Sequence, residues 1–301
     1  MICCIYGFLE KIYGKKIFLI FYRVAKIWIN LFYPLYVAIF PAFVKENRED
    51  VVISLTSFPA RINKVHLTLE SLLRQTIKPG EIILYLSKEQ FSDIDALPKK
   101  LKYMAQSHKI KIEFCDGDLK SHKKYYYAMK DRSDKTIITV DDDIVYPEDL
   151  IECLLKCSEK FPDTVCCTVA HRMKINGNSI GPYNSWEKNC QIIEKPKMDL
   201  LAVGCGGVLY PPHTFDLKRL LDKESISTLC PYADDLWLKS NEVLNEKKTV
   251  KIGKYTKFVF VGIVIWKNQT LTKKNVIDNG NDRQMQKILE RNPTVLEKVK
   301  M

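Results

Sequence analysis

Two short apolar runs with one helical period between them constrain this chain more than any other feature. Residues 51–55 (VVISL) and 81–86 (EIILYL) are rich in β-branched and other large apolar side chains, and each is too short for a stable helix. They read as buried strands. Between them Val65, Leu69, Leu72 and Leu73 recur at helical spacing, Asn63 is placed to cap the start, and Pro79-Gly80 stops the segment. A strand, a helix and a second strand joined this closely imply a parallel sheet with a right-handed crossover.

The pattern then repeats. Residues 110–114 form a short strand, Cys115-Asp116-Gly117-Asp118 a turn, and 121–130 a helix carrying Lys123 and Lys124. A strand over 136–140 follows, then a helix with Leu150, Ile151, Leu154 and Leu155 on one face, then a strand over 164–170. Beyond Ala170 the alternation loosens, and 171–199 reads as a surface excursion able to cover a ligand. The run LAVGCGGVLY (201–210) sets Gly204, Gly206 and Gly207 in a strand-like frame, where absent side chains permit a bulge or close approach. It matches neither the Walker spacing nor G-x-G-x-x-G. Asp234 and Asp235 open a helix to about 244, an apolar strand pair lies in 249–266, and 275–301 is a polar helical tail. The fold class expected is α/β, a Rossmann-type mixed, mainly parallel sheet flanked by helices.

Composition narrows the setting. With 301 residues, 46% hydrophobic and 28% charged, the chain can bury a sizeable core, and disorder is excluded. The formal charge of +11 suits phosphorylated substrates or anionic lipid, but the lysines are scattered and no basic stripe with interleaved aromatics marks a nucleic-acid partner. Ten cysteines without a C-x-x-C spacing argue against zinc and for reduced thiols inside a cell. Residues 1–44 stand apart: from Ile17 to Val44 the only charges are Arg23 and Lys26, the aromatics are dense, and Pro34 and Pro41 interrupt the run. This segment is expected to lie in a lipid interface, ahead of a true span or a hairpin packed on the protein, and it lacks a signal-peptide cleavage site. The expected location is the cytoplasm, at the inner face of the membrane. KENRED (45–50) reads as a charged linker, with the main domain over 45–248 and 249–301 completing it.

The run from Thr136 climbs into Asp141, Asp142 and Asp143 before Tyr146-Pro147. In open α/β sheets ligands bind beyond the carboxyl ends of strands. Three adjacent carboxylates repel one another, and either a hard divalent cation, which prefers oxygen ligands, or bulk water offsets that charge. Side chains alternate along an extended segment, so Asp141 and Asp143 face one way and Asp142 the other. The plain alternative is an acidic loop capping the next helix. Asp234 and Asp235 pose the same choice, since acids at a helix start suit its dipole whether or not they do chemistry.

Taken in order, SLTSFPARI (54–62), VDDDIVYP (140–147), GCGG (204–207) and ADDLW (233–237) resemble the GT-A-type nucleotide-sugar glycosyltransferases, particularly bacterial enzymes of surface polysaccharide (capsule and lipopolysaccharide) assembly. The resemblance covers about 51–244 and implies a GT-A-like fold. It also implies transfer of a sugar from a nucleotide-diphosphate donor to a hydroxyl of a glycan or lipid-linked acceptor, with Mn²⁺ or Mg²⁺. By it, Asp143 is the direct metal ligand and Asp141 binds the metal or the donor's ribose and sugar, with Asp142 a partner of theirs to which no separate role is assigned. Thr56, Ser57 and Arg61 contact the nucleotide, and Asp116 the base. Lys123 and Lys124 are candidates for the diphosphate, a solvated helix face being their alternative. Gly206 and Gly207 border the acceptor through their backbone. Asp235 matches the general base of an inverting displacement, Asp234 is second to it, and in a retaining enzyme Asp235 would only position. One departure is that family members often complete the metal shell with a late histidine, whereas none follows His213 here; a water, the diphosphate or Asp282 would fill that place. Two other classes fit the same acids: a nucleotidyl or phosphoryl transferase, and a non-catalytic membrane-associated binding module whose acidic clusters are helix caps.

Overall fold

In the computed structural model, which describes residues 27, 31–40, 43–190, 195–253, 261–263, 275 and 278–300, the alternation builds one large sheet. Strand and helix follow each other as β1 (Glu46–Thr56), α1 (Val65–Leu73), β2 (Ile77–Ser87), α2 (Lys99–Gln106), β3 (Lys111–Cys115), α3 (Lys123–Asp131) and β4 (Thr136–Thr139). After β5 (Ile144–Val145) and α4 (Leu150–Lys160) come five short strands: β6 (Val165–Cys167), β7 (Ala170–Arg172), β8 (Ile175–Asn176), β9 (Ser179–Ile180) and β10 (Leu200–Ala202). Then follow β11 (Val208–Tyr210), α5 (Leu217–Leu220), α6 (Lys223–Leu229), α7 (Asp234–Leu244), β12 (Thr249–Lys251), β13 (Val261–Gly262), α8 (Gly280–Arg291) and α9 (Thr294–Val299).

The main sheet has seven strands in the order β12-β6-β11-β4-β1-β2-β3. β1 pairs in parallel with β2 and β4, β2 with β3, and β12 with β6; β11 alone runs against its neighbours β4 and β6. Both faces are covered. Val51, Ile53 and Leu55 pack with Leu69 and Leu72 of α1 and Leu154 of α4, whereas Val52 joins the layer of Tyr125 from α3 and Trp237 from α7. Strands buried on both faces read as unbroken apolar runs, which is why the sequence marks them so plainly. The expected fold class, a mixed and mainly parallel sheet flanked by helices, is the one formed.

Several boundaries differ from expectation. Residues 46–50, expected as part of a linker, are the outer end of β1, with Glu46, Asn47 and Arg48 opposite Ile77, Lys78 and Pro79. A register shift follows Arg48, and a Cβ on Gly80 would stand 2.7 Å from the Glu49 carbonyl oxygen, so Pro79-Gly80, expected to stop the helical segment before a strand at 81, lies inside β2 and lets two strands pass closely. The run 201–210 is two strands: β10 pairs with β7 in a separate small sheet, and a tight turn over Gly204–Gly206 leads into β11. The expected strand pair in 249–266 also separates, β12 joining the main sheet and β13 pairing with β5, with 254–260 and 264–266 outside the described residues. The tail is helical as α8 and α9. Most of 1–44 lies outside the described residues; 31–39 is helical, and among the described residues no helix is long and apolar enough to cross a membrane.

Candidate active site

Because β11 runs against β4, with Val208 opposite Thr139, the glycine turn before β11 lies beside the aspartates that follow β4. Tyr146 ties the two turns together. Its buried hydroxyl accepts from the Asp141 N–H (2.9 Å) and donates to the Cys205 carbonyl (3.1 Å).

The three aspartates have three environments. Asp142 turns into the protein, its side chain 5% exposed, and accepts from Ser57 Oγ (2.5 Å) and Arg61 Nη1 (2.6 Å). Thr68 of α1 donates to its backbone carbonyl (2.9 Å). Burial pushes its carboxyl up, against the pull of Arg61. Asp143 is 27% exposed, with Nη2 of the same Arg61 at 3.0 Å. Burial raises it to about 6, Arg61 again opposing. Asp141, 31% exposed, pairs with Lys124 Nζ at 3.0 Å. The expected alternation along an extended segment is not what divides them: Asp142 and Asp143 lie in a turn between β4 and β5 and share Arg61, with Asp142 buried and Asp141 and Asp143 partly exposed.

Lys124 links this turn to the start of α7. Its buried ammonium also lies 2.7 Å from Asp234. Burial by itself would lower a lysine, but Asp141, Asp234 and Asp235 outweigh it and hold Lys124 well above its ordinary value. Asp234 is buried as well; burial opposes its charge, and Lys124 overcomes that and lowers it. His122, fully buried, donates from Nε2 to the Cys230 carbonyl (2.7 Å) and accepts at Nδ1 from the Tyr125 hydroxyl (2.9 Å), which fixes a neutral tautomer. Burial lowers it to about 4.

Asp235, half-buried, accepts from the Gly204 N–H, with both carboxylate oxygens at 3.3 Å. Burial, then the neighbouring Asp234, raises it to about 8, with Lys124 opposing. A Cβ on Gly204 would lie 2.5 Å from Lys124 Nζ, 3.1 Å from Asp235 and 3.5 Å from Asp141. Only a glycine leaves room there, so its backbone forms the floor between the two acidic segments.

The remaining candidates are placed differently. Thr56 Oγ1 donates to the Tyr85 carbonyl (2.8 Å), and Asp116 is exposed at the end of β3, paired with Lys88 (2.8 Å), which lowers it. Lys123 is buried against Asp118 and does not join Lys124. A Cβ on Gly206 would run into Thr168 and Val169, and one on Gly207 would meet Leu150, so both glycines face the protein's own side chains while Gly204 faces the acids. Asp282, in the first turn of α8, accepts from the Tyr183 N–H (2.6 Å). Sequence reasoning missed Gly204, Tyr146 and His122. Gly204 carried a signal in the glycine run, but which glycine faces the acids depends on how the turn folds; the two buried rings carried none.

The donor set suits a hard cation in part. Asp141 and Asp143 present carboxylate oxygens on the open side, as such an ion prefers, while Asp142 is committed to Ser57 and Arg61. Among the described residues no group of three or more His, Cys, Asp or Glu side chains is assembled for a metal, so further ligands would come from water or substrate.

No family model matches the chain, and no curated protein matches it. Among solved structures it is similar to a mannosyltransferase from Pyrobaculum calidifontis in complex with GDP-Man and Mn²⁺, at 11% identity and TM-score 0.48, covering 93% of this chain and 79% of that one. It is similar to a 4-diphosphocytidyl-2C-methyl-D-erythritol synthase from Anaerococcus prevotii, at 12% identity and TM-score 0.42, covering 78% of this chain and 98% of that one. A cytidylyltransferase from Leptospira borgpetersenii also matches at 12% identity and TM-score 0.42, covering 84% of this chain and 97% of that one. At these identities and TM-scores, function has to be argued from the site itself.

Proposed function

We propose that the protein is a glycosyltransferase that moves a sugar from a nucleotide-diphosphate donor to a hydroxyl of a glycan or lipid-linked acceptor at the cytoplasmic face of a membrane, in surface polysaccharide assembly. One observation carries the reading: two acidic segments far apart in the chain meet on one buried ammonium, Lys124, beyond the carboxyl end of β4, with Gly204 between them. Buried carboxylates held this way fit a site that must manage charge.

In this reading the turn carrying Thr56, Ser57 and Arg61 borders the nucleotide, and Asp116 takes the base. Arg61 holds Asp142 and Asp143 in place and offers its guanidinium beside them to the donor's phosphates. Asp143, with Asp141, would hold Mn²⁺ or Mg²⁺, which when bound supplies neutralising charge for the departing diphosphate. Lys124 sets the spacing between Asp141 and Asp234. Gly206 and Gly207 shape the turn whose open face at Gly204 borders the acceptor. Asp235 takes the acceptor's proton; burial and Asp234 raise its carboxyl to about 8, which makes it a stronger base than an ordinary carboxylate but one that acts only from its deprotonated form, whose share grows as pH rises toward 8. Asp234, locked to Lys124, positions and does not titrate.

The test is release of nucleoside diphosphate from a panel of nucleotide sugars, with and without Mn²⁺ or Mg²⁺, by wild type and Asp143→Asn. Metal-dependent release from one donor, lost in the variant, is expected. Release of pyrophosphate from a nucleoside triphosphate with a sugar phosphate, and no nucleoside diphosphate from any nucleotide sugar, would make the protein a nucleotidyltransferase. No turnover by either form, with acceptor extracts supplied, would leave the acids as helix caps of a binding module.

A further inference from the structure

Nine large apolar side chains are exposed among the described residues: eight fall in residues 27–44, and the ninth is Tyr103 of α2. Leu31, Leu35 and Ile39, four apart and so on one side of the helix over 31–39, are 54–67% exposed. The other side is pinned to the sheet domain. Tyr33 is buried, the Tyr36 hydroxyl donates to Glu148 (3.1 Å), and Arg74 lies 4.8 Å from the Tyr36 ring and donates to the Phe40 carbonyl (2.6 Å). This helix is therefore fixed with its apolar stripe outward.

Beside it lies α2. A cleft of about 330 Å³ separates the two, its walls including Tyr33, Val37, Leu67, Met104, Lys99 and Lys100, with one acid, Glu70. Lys99, Lys100 and, just past the helix, Lys109 are exposed, and the Lys109 ammonium lies 5.6 Å from the Tyr103 ring. An apolar stripe thus runs alongside a basic edge that carries an exposed tyrosine. The sequence before it adds to the same sign of charge, with Lys11, Lys15, Lys16, Arg23 and Lys26 against Glu10 alone in residues 1–44.

We infer that this face docks on an anionic phospholipid bilayer, the stripe entering the boundary between headgroups and acyl chains and the lysines of α2 meeting lipid phosphates around the cleft. The charge complementarity selects this occupant, because a second copy of the chain would bring the same lysines against each other. α2 supplies the half of the contact that no hydrophobic run announces. The inference stands without the transferase reading.

Sedimentation of the full chain with vesicles tests it, using phosphatidylcholine alone or with phosphatidylglycerol, at low and high salt. Wild type is expected to bind the anionic vesicles more tightly, with salt weakening the difference. Lys99→Glu with Lys100→Glu should weaken anionic-vesicle binding on the order of thirtyfold and leave phosphatidylcholine binding unchanged. Leu35→Asp with Ile39→Asp should lose binding to both. Both pairs sit on exposed positions, and an unchanged circular dichroism spectrum verifies folding. Wild type failing to sediment with either vesicle, or binding that neither pair alters, would overturn the inference; so would a dimer in solution that the Leu35/Ile39 pair converts to monomer without vesicle binding. Donor turnover measured in parallel separates the two proposals, since its absence in wild type speaks only against the transferase.

Discussion

The turn after β4 and the start of α7 each place acidic residues side by side, and each divides them in the same way. After β4, Asp142 is turned inward onto Ser57 and Arg61 while Asp141 and Asp143 stay open. At α7, Asp234 is locked to Lys124 and Asp235 stays half-open over Gly204. The backbone enforces the division by different geometry, a turn between β4 and β5 in one case and rotation of about 100° per residue around a helix in the other. Their supports differ too. The first is braced by the long, always charged arm of Arg61, reaching from the turn after β1; the second rests on Lys124 and on a neutral histidine beneath it. Neighbouring carboxylates are therefore not equivalent chemical groups, and the inward one of each set is a structural part that the outward ones depend on.

The largest effect should separate the members of the second cluster. Asp235→Asn is expected to cut acceptor turnover by about 10²–10⁴-fold with little change in melting temperature, as loss of a general base does. A comparable drop in stability would make Asp235 a structural acid like its neighbour. Next, Lys124→Met removes the cation shared by both clusters and should cost about 3–5 kcal/mol in urea unfolding, because two acids are left without their partner in a buried place. If its unfolding midpoint equals that of wild type, the clusters are independent and the shared-cation picture fails.

Acid should distinguish the supports. His122 has an ordinary pKa near 6.5 and is lowered by burial to about 4, so below 6.5 the unfolded chain takes up a proton that the folded chain refuses. His122 therefore contributes a loss of stability on the order of 3 kcal/mol as pH falls from about 6.5 to about 4, while the raised carboxyls of Asp235 and Asp143 titrate with the opposite sign over part of that range. The readout is the difference between wild type and His122→Gln in unfolding free energy, which should shrink as pH falls through that range; a difference that does not change with pH would remove His122 from the account. The smallest contrast lies within the first cluster. Asp142→Asn is expected to cost about 1–3 kcal/mol through its lost charged hydrogen bonds, whereas Asp143→Asn should unfold near wild type. Reversal of that order would mean that Asp143, not Asp142, braces the turn.

Much of this was legible in the chain. The strands of the parallel half are buried on both faces, so VVISL and EIILYL stand out as apolar runs, and α1 shows its packed side in Val65, Leu69 and Leu72. The burial of Asp142 does not follow from strand alternation, because Asp142 and Asp143 lie in a turn and share Arg61. The second half was less readable, because strands of two or three residues such as β5, β10 and β13 are too short to show a period, and their pairing is settled by distant partners. Within the site, Lys123 and Lys124 are identical neighbours on a helix, yet Lys123 went to Asp118 and Lys124 to the acids. Nothing local distinguishes them.

What the sequence by itself determined is what depends on near neighbours: the alternation of strand and helix and the parallel sheet. Tertiary structure alone decided the contacts that span the chain. The reversed direction of β11 brought the glycine turn beside Asp141, and with it came the choice of Gly204 over Gly206 and Gly207, the sharing of Lys124 between Asp141 and Asp234, and the depression of His122. Each of these depends on burial and charge from residues many positions away, and those fields exist only once the layers have packed.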